Sequence, residues 1–486
     1  MKSYFIPRLR DILFLSVFVA ALAFGPRMLN ADGDLPHHLA VGKYILQGHL
    51  PPLIDIFSFT RNGVPFAPHK WLSEVVFYIA YLAFDERGIV ILSALLLALT
   101  FSLVYVDGVQ RSGTRLPVFF LVAWGAALSS LHWISRPHLF TMLLFAIWLI
   151  LNERLVGGRK VPFWYFAVLM LLWNNLHGEF ISGFLVTGAT LVGWIWEFIF
   201  DRLNTDINVG KRLGIVLGLI TVVTLVNPVS LRALSTVTNW LGNEYLMSHT
   251  NETIPPNFAD PKFMVVLVFL VFSIFILAIN GKKLPFRMGL ILAGFSALVL
   301  VSARNIHFYG VAAPFVLVSV FSKKSLGKPF YRLEEFLGKI EGHLKGFAWP
   351  LITVGLGIVL LAVTPIGRIE TFSPGYFPIQ ATKWLETNPQ QGNMFNPFDW
   401  GGYLSLELFP DQLVFIDSQG DIYGESFIRE YENIISLGIG WQESLAKYKV
   451  NWVIIPKNWD LASALSATGW MKVYFDNTTV ILTRGN

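Results

Sequence analysis

The chain has 486 residues, of which 54% are hydrophobic and 14% charged, with 37 Lys and Arg against 32 Asp and Glu. So few charges cannot clothe a water-soluble domain of this size, so the composition argues against a soluble fold and for a polytopic membrane protein. The formal charge of +5 does not signal nucleic-acid binding, because the basic residues lie in short gaps between apolar runs, and the absence of cysteine excludes disulfides and thiolate metal sites.

Lys2, Arg8 and Arg10 precede an apolar run from Ile12 to Leu29. That run is about 18 residues long, enough to span a bilayer, and no small-residue cleavage site follows it, so a retained first helix is expected rather than a removed signal. Asp32 and Asp34 come directly afterwards. A carboxylate pair at the mouth of a first crossing has no packing role there.

Spanning helices are expected near residues 12–29, 88–106, 116–132, 137–152, 161–176, 180–200, 212–227, 262–280, 284–303, 305–321 and 347–365. Basic residues gather in alternate gaps: the N-terminus, Arg111/Arg115, Arg154/Arg159/Lys160, Arg202/Lys211/Arg212, Lys282/Lys283/Arg287, and the 322–346 loop. The positive-inside rule makes these gaps cytoplasmic. Segment 30–87 is then outside and Arg111 inside, so one crossing separates them although two apolar runs are available. The run Trp71–Phe84 is short and carries Glu74, so it is expected to lie in the interface, while Gly88–Val106 crosses. The expected architecture is a mainly α, polytopic membrane domain over 1–365 with about eleven crossings. Its first outer loop, 30–87, holds surface helices near 35–48 and 70–84. An extracytoplasmic α/β domain over 366–486 follows. In that domain, strands are expected at Leu413–Ile416, Trp452–Ile455, Met471–Phe475 and Thr479–Leu482, helices near 424–437, 441–448 and 459–467, and a hairpin turn at Asp476-Asn477. Strands alternating with helices suggest a partly parallel sheet.

With this topology the unusual polar residues share the outer side. They are Asp32, Asp34, His37, His38, His69 and Glu74 in the first loop, then His132, Arg136 and His138, then Asn174, Asn175, His177 and Glu179. The long loop 228–260 adds Glu244, His249 and Glu252, and the last outer gap adds Arg304, Asn305 and His307. Charges near bilayer depth are costly and mark sites, so a common outer cavity is expected. A carboxylate there can act as general base toward a hydroxyl or hold a divalent cation, with Asp32 and Asp34 the ligands if any. Arg304 and Arg136 can neutralise a phosphate, and the histidines can donate to phosphate or sugar oxygens. The bland alternatives are a turn at Asp32-Gly33-Asp34, an N-cap at Asp34, interfacial snorkelling for His69 and Glu74, an interhelical network for Asn175, His177 and Glu179, and turns and caps for Asp399, Asp417 and Asp421.

At Ala31-Asp32-Gly33-Asp34, His69-Lys70-Trp71-Leu72 and the outer Arg304, the chain resembles the GT-C superfamily of membrane glycosyltransferases, near its protein mannosyltransferase and aminoarabinose transferase branches. The tail phrase FDWGGYLSLELFPDQLVFIDSQGDIYG, residues 398–424, is similar to the outer domain of bacterial proteins of this type. His69-Lys70-Trp71-Leu72 departs from the His-Pro-Pro-Leu of the mannosyltransferase branch. The resemblance implies a polyprenyl-phosphate-linked sugar donor, a glycan, lipid or protein acceptor, and a multi-pass place in the cell membrane. It also implies that Asp34 or Asp32 serves as base or metal-linked carboxylate, that the surface helices guide the lipid donor and that the outer domain assists the acceptor. A transporter or flippase for a lipid-linked or anionic solute is the rival, followed by a non-catalytic assembly subunit. A transporter would be expected to carry paired broken helices and mid-bilayer charges, and neither is evident.

Overall fold

The computed structural model describes residues 6–200, 206–229, 253–280, 284–323, 326–344, 348–363 and 371–485; Glu244, His249 and Glu252 lie outside them. The described helices begin with α1 Leu9–Ala23, α2 Gly25–Leu29, α3 Asp34–Leu46, α4 Trp71–Ser112, α5 Leu116–Ser129, α6 His138–Val156, α7 Phe163–Leu176, α8 Ile181–Phe200 and α9 Ile207–Val223. They continue with α10 Met264–Asn280, α11 Phe286–Val301, α12 Ile306–Leu317, α13 Lys328–His343, α14 Ala348–Val363, α15 Ile379–Thr387, α16 Phe398–Leu408, α17 Gly420–Ile435, α18 Trp441–Lys447 and α19 Asp460–Ala467. The strands are β1 Asn393–Phe395, β2 Val450–Pro456, β3 Trp470–Phe475 and β4 Thr479–Arg484.

Among the described residues, each of the eleven expected apolar stretches contains a helix. Among the described residues, four helical stretches are long and apolar enough to cross a membrane: Trp71–Ser112, His138–Val156, Gly178–Phe200 and Pro261–Asn280. A fifth is added if α13 and α14, bent by 77°, count as one. The outward side chains of α10 are apolar, with Val271 58%, Ile274 68% and Phe275 58% exposed, as suits lipid rather than water. Helix α4 breaks between its two apolar runs: Phe84 leaves the helical region and Asp85 sits at φ 53°, ψ −148°. The break falls between the runs Trp71–Phe84 and Gly88–Val106, and the strained backbone at a non-glycine residue gives it a sharp location.

The chain forms two compact units. The first comprises Met1–Phe24, Val90–Asn227 and Ser248–Ile366. Here α5 and α12 approach through facing glycines: a Cβ on Gly125 would strike the carbonyl oxygen of Gly310, so small residues let the backbones touch. Arg111 is held in place at the end of α4, pairing with Asp107 at 2.6 Å and donating to Ser319 Oγ and the Phe315 carbonyl, both at 2.7 Å.

The second unit comprises Gly25–Ile89, Pro228–Met247 and Gly367–Asn486, so the first loop and the C-terminal segment share one body. Its sheet has the order β1-β2-β4-β3, with β1 parallel to β2 and the remaining pairs antiparallel. The hairpin at Asp476 forms as expected, its carboxylate accepting the N–H groups of Thr478 and Thr479 at 2.7 and 2.6 Å. The strand expected at Leu413–Ile416 does not form. Val414 exchanges two backbone hydrogen bonds with Phe57 and Phe59, and Phe415 N–H donates to Asn396 Oδ1, so these groups are taken by a single bridge and a side chain. The strand beside β2 is Asn393–Phe395 instead.

Candidate functional site

Two buried polar clusters hold the residues singled out in the sequence, one in each unit. In the second unit, α3 begins at Asp34 with Gly33 in the N-cap position. Asp34 is thus the first residue of the helix rather than its N-cap, the position considered for it as an alternative. Asp32 Oδ1 accepts the Asp34 N–H at 2.9 Å, so Asp32 is the turn-forming acid of the pair. Helix α16 packs against α3 through Gly401 and Gly402: a Cβ on Gly402 would meet the Gly33 carbonyl and the His37 nitrogen, and one on Gly401 would meet Ile416 and Asp417. A Cβ on Gly33 would likewise run into the backbone of Asp399. These absent side chains draw Asp399 and Asp417, both read as turn residues, into the surroundings of α3.

Around that contact the charges oppose one another. Burial, with the neighbouring Asp34 carboxylate adding to it, lifts Asp399 above the ordinary carboxylate range. His37 is buried with Nδ1 3.4 Å from Asp417 Oδ2, and its Nε2 meets the Gln419 amide. Burial works against a charge on His37, but Asp417, Glu74 and Asp34 together outweigh it, and the imidazole titrates above its ordinary 6.5. Asp55 takes the Ser58 hydroxyl at 2.6 Å and the N–H groups of Phe57 and Ser58 at 3.1 and 3.2 Å. Burial first, then the charge of Asp417, still raises its carboxyl. His38 Nδ1 lies 3.0 Å from Glu74 Oε1, joining α3 to the start of α4 with both side chains buried. His69 Nδ1–H donates to the Ala67 carbonyl at 2.8 Å.

The first unit gathers the other candidates at the ends of α6, α7, α8 and α12. Glu179, in a single 3-10 turn between α7 and α8, is the hub: Oε1 is 3.3 Å from Arg304 Nε, and Oε2 is 3.3 Å from His177 Nδ1 and 3.2 Å from His307 Nε2. Arg304 occupies a matching 3-10 turn before α12, and His307 Nδ1–H donates to its carbonyl at 2.6 Å. His138 Nε2–H donates to the His132 carbonyl at 3.0 Å, and the His132, His138 and His307 rings lie 4.6–5.4 Å apart. Thr141 accepts Trp173 Nε1–H at 2.9 Å and sits 3.0 Å from His177 Nδ1. Arg136 lies in the loop entering α6. The interhelical network considered for Asn175 is present: Asn174 and Asn175 donate to the carbonyls of Thr224 and Val226 at 2.9 and 3.1 Å, closing the end of α7 on the segment after α9.

Asp55, Asp399 and Asp417 were not foreseen as members of a cluster. The available signal was Gly401-Gly402 within an aromatic helix, which permits close approach, and an aspartate ending the apolar run Leu413–Ile416. Among the described residues no group of three or more His, Asp or Glu side chains is placed to hold a metal ion.

No protein-family model and no curated protein matches the chain. Solved structures do. The apo oligosaccharyltransferase of Archaeoglobus fulgidus aligns with TM-score 0.58 and 11% identity over 91% of this chain and 69% of that one. The arabinofuranosyltransferase AftD from Mycobacteria aligns with TM-score 0.56 and 13% identity over 97% and 40%. ArnT from Cupriavidus metallidurans, bound to undecaprenyl phosphate, aligns with TM-score 0.53 and 12% identity over 97% of both chains. The chain therefore has a GT-C-like fold.

Proposed function

We propose that this chain is an integral-membrane glycosyltransferase that moves a sugar from a polyprenyl-phosphate donor to a hydroxyl or amine acceptor at the outer face of the membrane. The reading is carried by the buried acid and imidazole array around Asp34, set in a fold whose solved neighbours include one bound to undecaprenyl phosphate. The topology that goes with it has a cytoplasmic N-terminus, eleven crossings and residues 366–486 outside.

In the proposed step the acceptor oxygen or nitrogen attacks the anomeric carbon while its proton passes to Asp34. The bond from that carbon to the phosphate oxygen breaks, and the phosphate leaves with the electron pair. Direct displacement inverts the anomeric configuration. Asp34 is the base because it opens α3 beside the Asp399 carboxyl, and Asp32 is the turn former, since its Oδ1 accepts the Asp34 N–H. In the other unit, Arg304, His307 and His177 gather on Glu179 with Arg136 and His138 on neighbouring turns, a set of side chains suited to holding an anion such as a phosphate. His37, His38, Glu74 and His69 shape the first loop that receives the lipid donor. The test is a purified protein assayed against a panel of polyprenyl-phosphate sugars, with Asp34→Asn and Asp32→Asn alongside. Wild-type transfer by both well-expressed variants removes the reading; translocation in vesicles without sugar transfer replaces it with the transporter reading.

A further inference from the structure

Helix α13 (Lys328–His343) is built the wrong way round for water. Its buried side chain is an acid: Glu334 is 1% exposed, and its two oxygens accept the N–H groups of Arg115 at 2.8 Å and Leu116 at 2.7 Å, at the start of α5. Further along, Glu341 accepts the N–H of Leu9, the first residue of α1, at 2.9 Å and pairs with Arg115 Nε at 2.8 Å. Both acids satisfy orphan donors at the positive ends of two helices. Four of the side chains left outside are large and apolar, with Phe330 63%, Leu333 42%, Phe336 60% and Ile340 41% exposed. At about 3.6 residues per turn these four share one side of the helix, and Lys328, Arg332 and Lys339 fall in the adjoining sector.

In water, exposing that stripe while burying two acids has no rationale. We propose that α13 is an interfacial anchor. Phe330, Leu333, Phe336 and Ile340 enter the acyl boundary of the cytoplasmic leaflet, and the adjoining basic row meets anionic phospholipid headgroups. Charge selects this occupant. With Glu334 and Glu341 turned inward, Lys323, Lys328, Arg332 and Lys339 stand against the single outward acid Glu335, which is 3.4 Å from Lys339. The 77° between α13 and α14 is the change of direction expected where a surface helix precedes a crossing one. The inference is independent of glycosyl transfer.

The natural chain has no cysteine, so single-site labelling needs no background removal. Full-length Phe336→Cys and Arg332→Cys, each carrying an environment-sensitive fluorophore, are reconstituted in phosphatidylcholine vesicles with and without phosphatidylglycerol. The label at 336 should be quenched several-fold more by shallow spin-labelled lipid than by iodide present on both sides, and the label at 332 should show the reverse. Phosphatidylglycerol should deepen the contrast, and K328Q/R332Q/K339Q in the Phe336→Cys background should remove that dependence. Equal iodide quenching at both positions overturns the proposal. So does shielding of 336 from both quenchers, which would mean that a protein covers the stripe. Indifference to phosphatidylglycerol overturns the headgroup contact.

Discussion

The cluster at the ends of α6, α7, α8 and α12 and the cluster around α3 are both buried, but their charge balance is opposite. The first places His177, His307 and Arg304 on one carboxylate, Glu179, with His132 and His138 packed against His307. The second places Asp34 near Asp399 and Asp55 near Asp417, and sets His37 against Asp417 and His38 against Glu74. A donor-rich group of side chains at fixed turns suits an anion that is present in ground and transition states alike. A group of mutually repelling carboxylates suits proton acceptance, because each neighbour makes the ionised form a stronger base. The difference assigns separable kinetic signatures to the two regions.

The largest expected effect is on the acidic side. Asp34→Asn should lower transfer by ~100- to 1000-fold, mostly in kcat, the range for loss of a positioned base, whereas Asp32→Asn, which disturbs a turn, should stay within ~10-fold. On the cationic side, Arg304→Gln should raise KM for the lipid-linked donor by ~10- to 100-fold with a smaller change in kcat, as loss of a charge-assisted contact to phosphate would. Glu179→Gln should move KM in the same direction by less, since it loosens Arg304 and His307 without removing them. Steady-state kinetics with varied donor decide the matter: a kcat defect in Arg304→Gln with a pure KM defect in Asp34→Asn would exchange the two assignments.

What could be read from the chain alone follows the same division. The helices of the first unit are written in runs of apolar residues and basic gaps, which act locally, so all eleven stretches and the break near residue 84 were legible. The cluster around α3 was legible only on its first-loop half, Asp32 to Glu74. Its other half depends on where Gly401 and Gly402 let α16 settle, a long-range choice that no local pattern encodes. The same reason explains Leu413–Ile416, whose short apolar run rich in β-branched and aromatic residues is that of a strand but whose backbone groups are claimed by Phe57, Phe59 and the Asn396 side chain. Helix α13 was hidden in a gap valued only for its lysines and arginines, because its acids and its apolar stripe exchange their usual places.

If close backbone approach holds the α3 region together, a methyl group there should be costly where the same change elsewhere is harmless. Gly402→Ala should destabilise by ~1–3 kcal/mol, since its Cβ meets backbone rather than a yielding side chain. Gly218→Ala in α9, where no atom lies within 4 Å, should be neutral or stabilise by up to ~1 kcal/mol. Equal melting temperatures for both variants in detergent would show that α16 is not locked on α3.

The smallest effect is a pH dependence confined to the α3 region. His37 titrates above its unfolded value, so the stability it contributes through Asp417 is complete below about pH 6.5 and is lost as pH rises through the shifted value. Asp55 and Asp399, also raised, act with the same sign in a lower window: their contribution is complete below about pH 3.8 and declines as they ionise. Glu74, pushed up to about 7 by burial, titrates in the same window as His37 and with the same sign, so substitution rather than pH alone separates the two. Tryptophan-monitored melting of wild type should fall as pH rises from 6.5, and His37→Gln and Asp417→Asn should each flatten that decline while leaving the acid limb in place. An unchanged slope in both variants would mean that the ion pair does not couple the first loop to the C-terminal segment, and that the acids around α3 are held by packing alone.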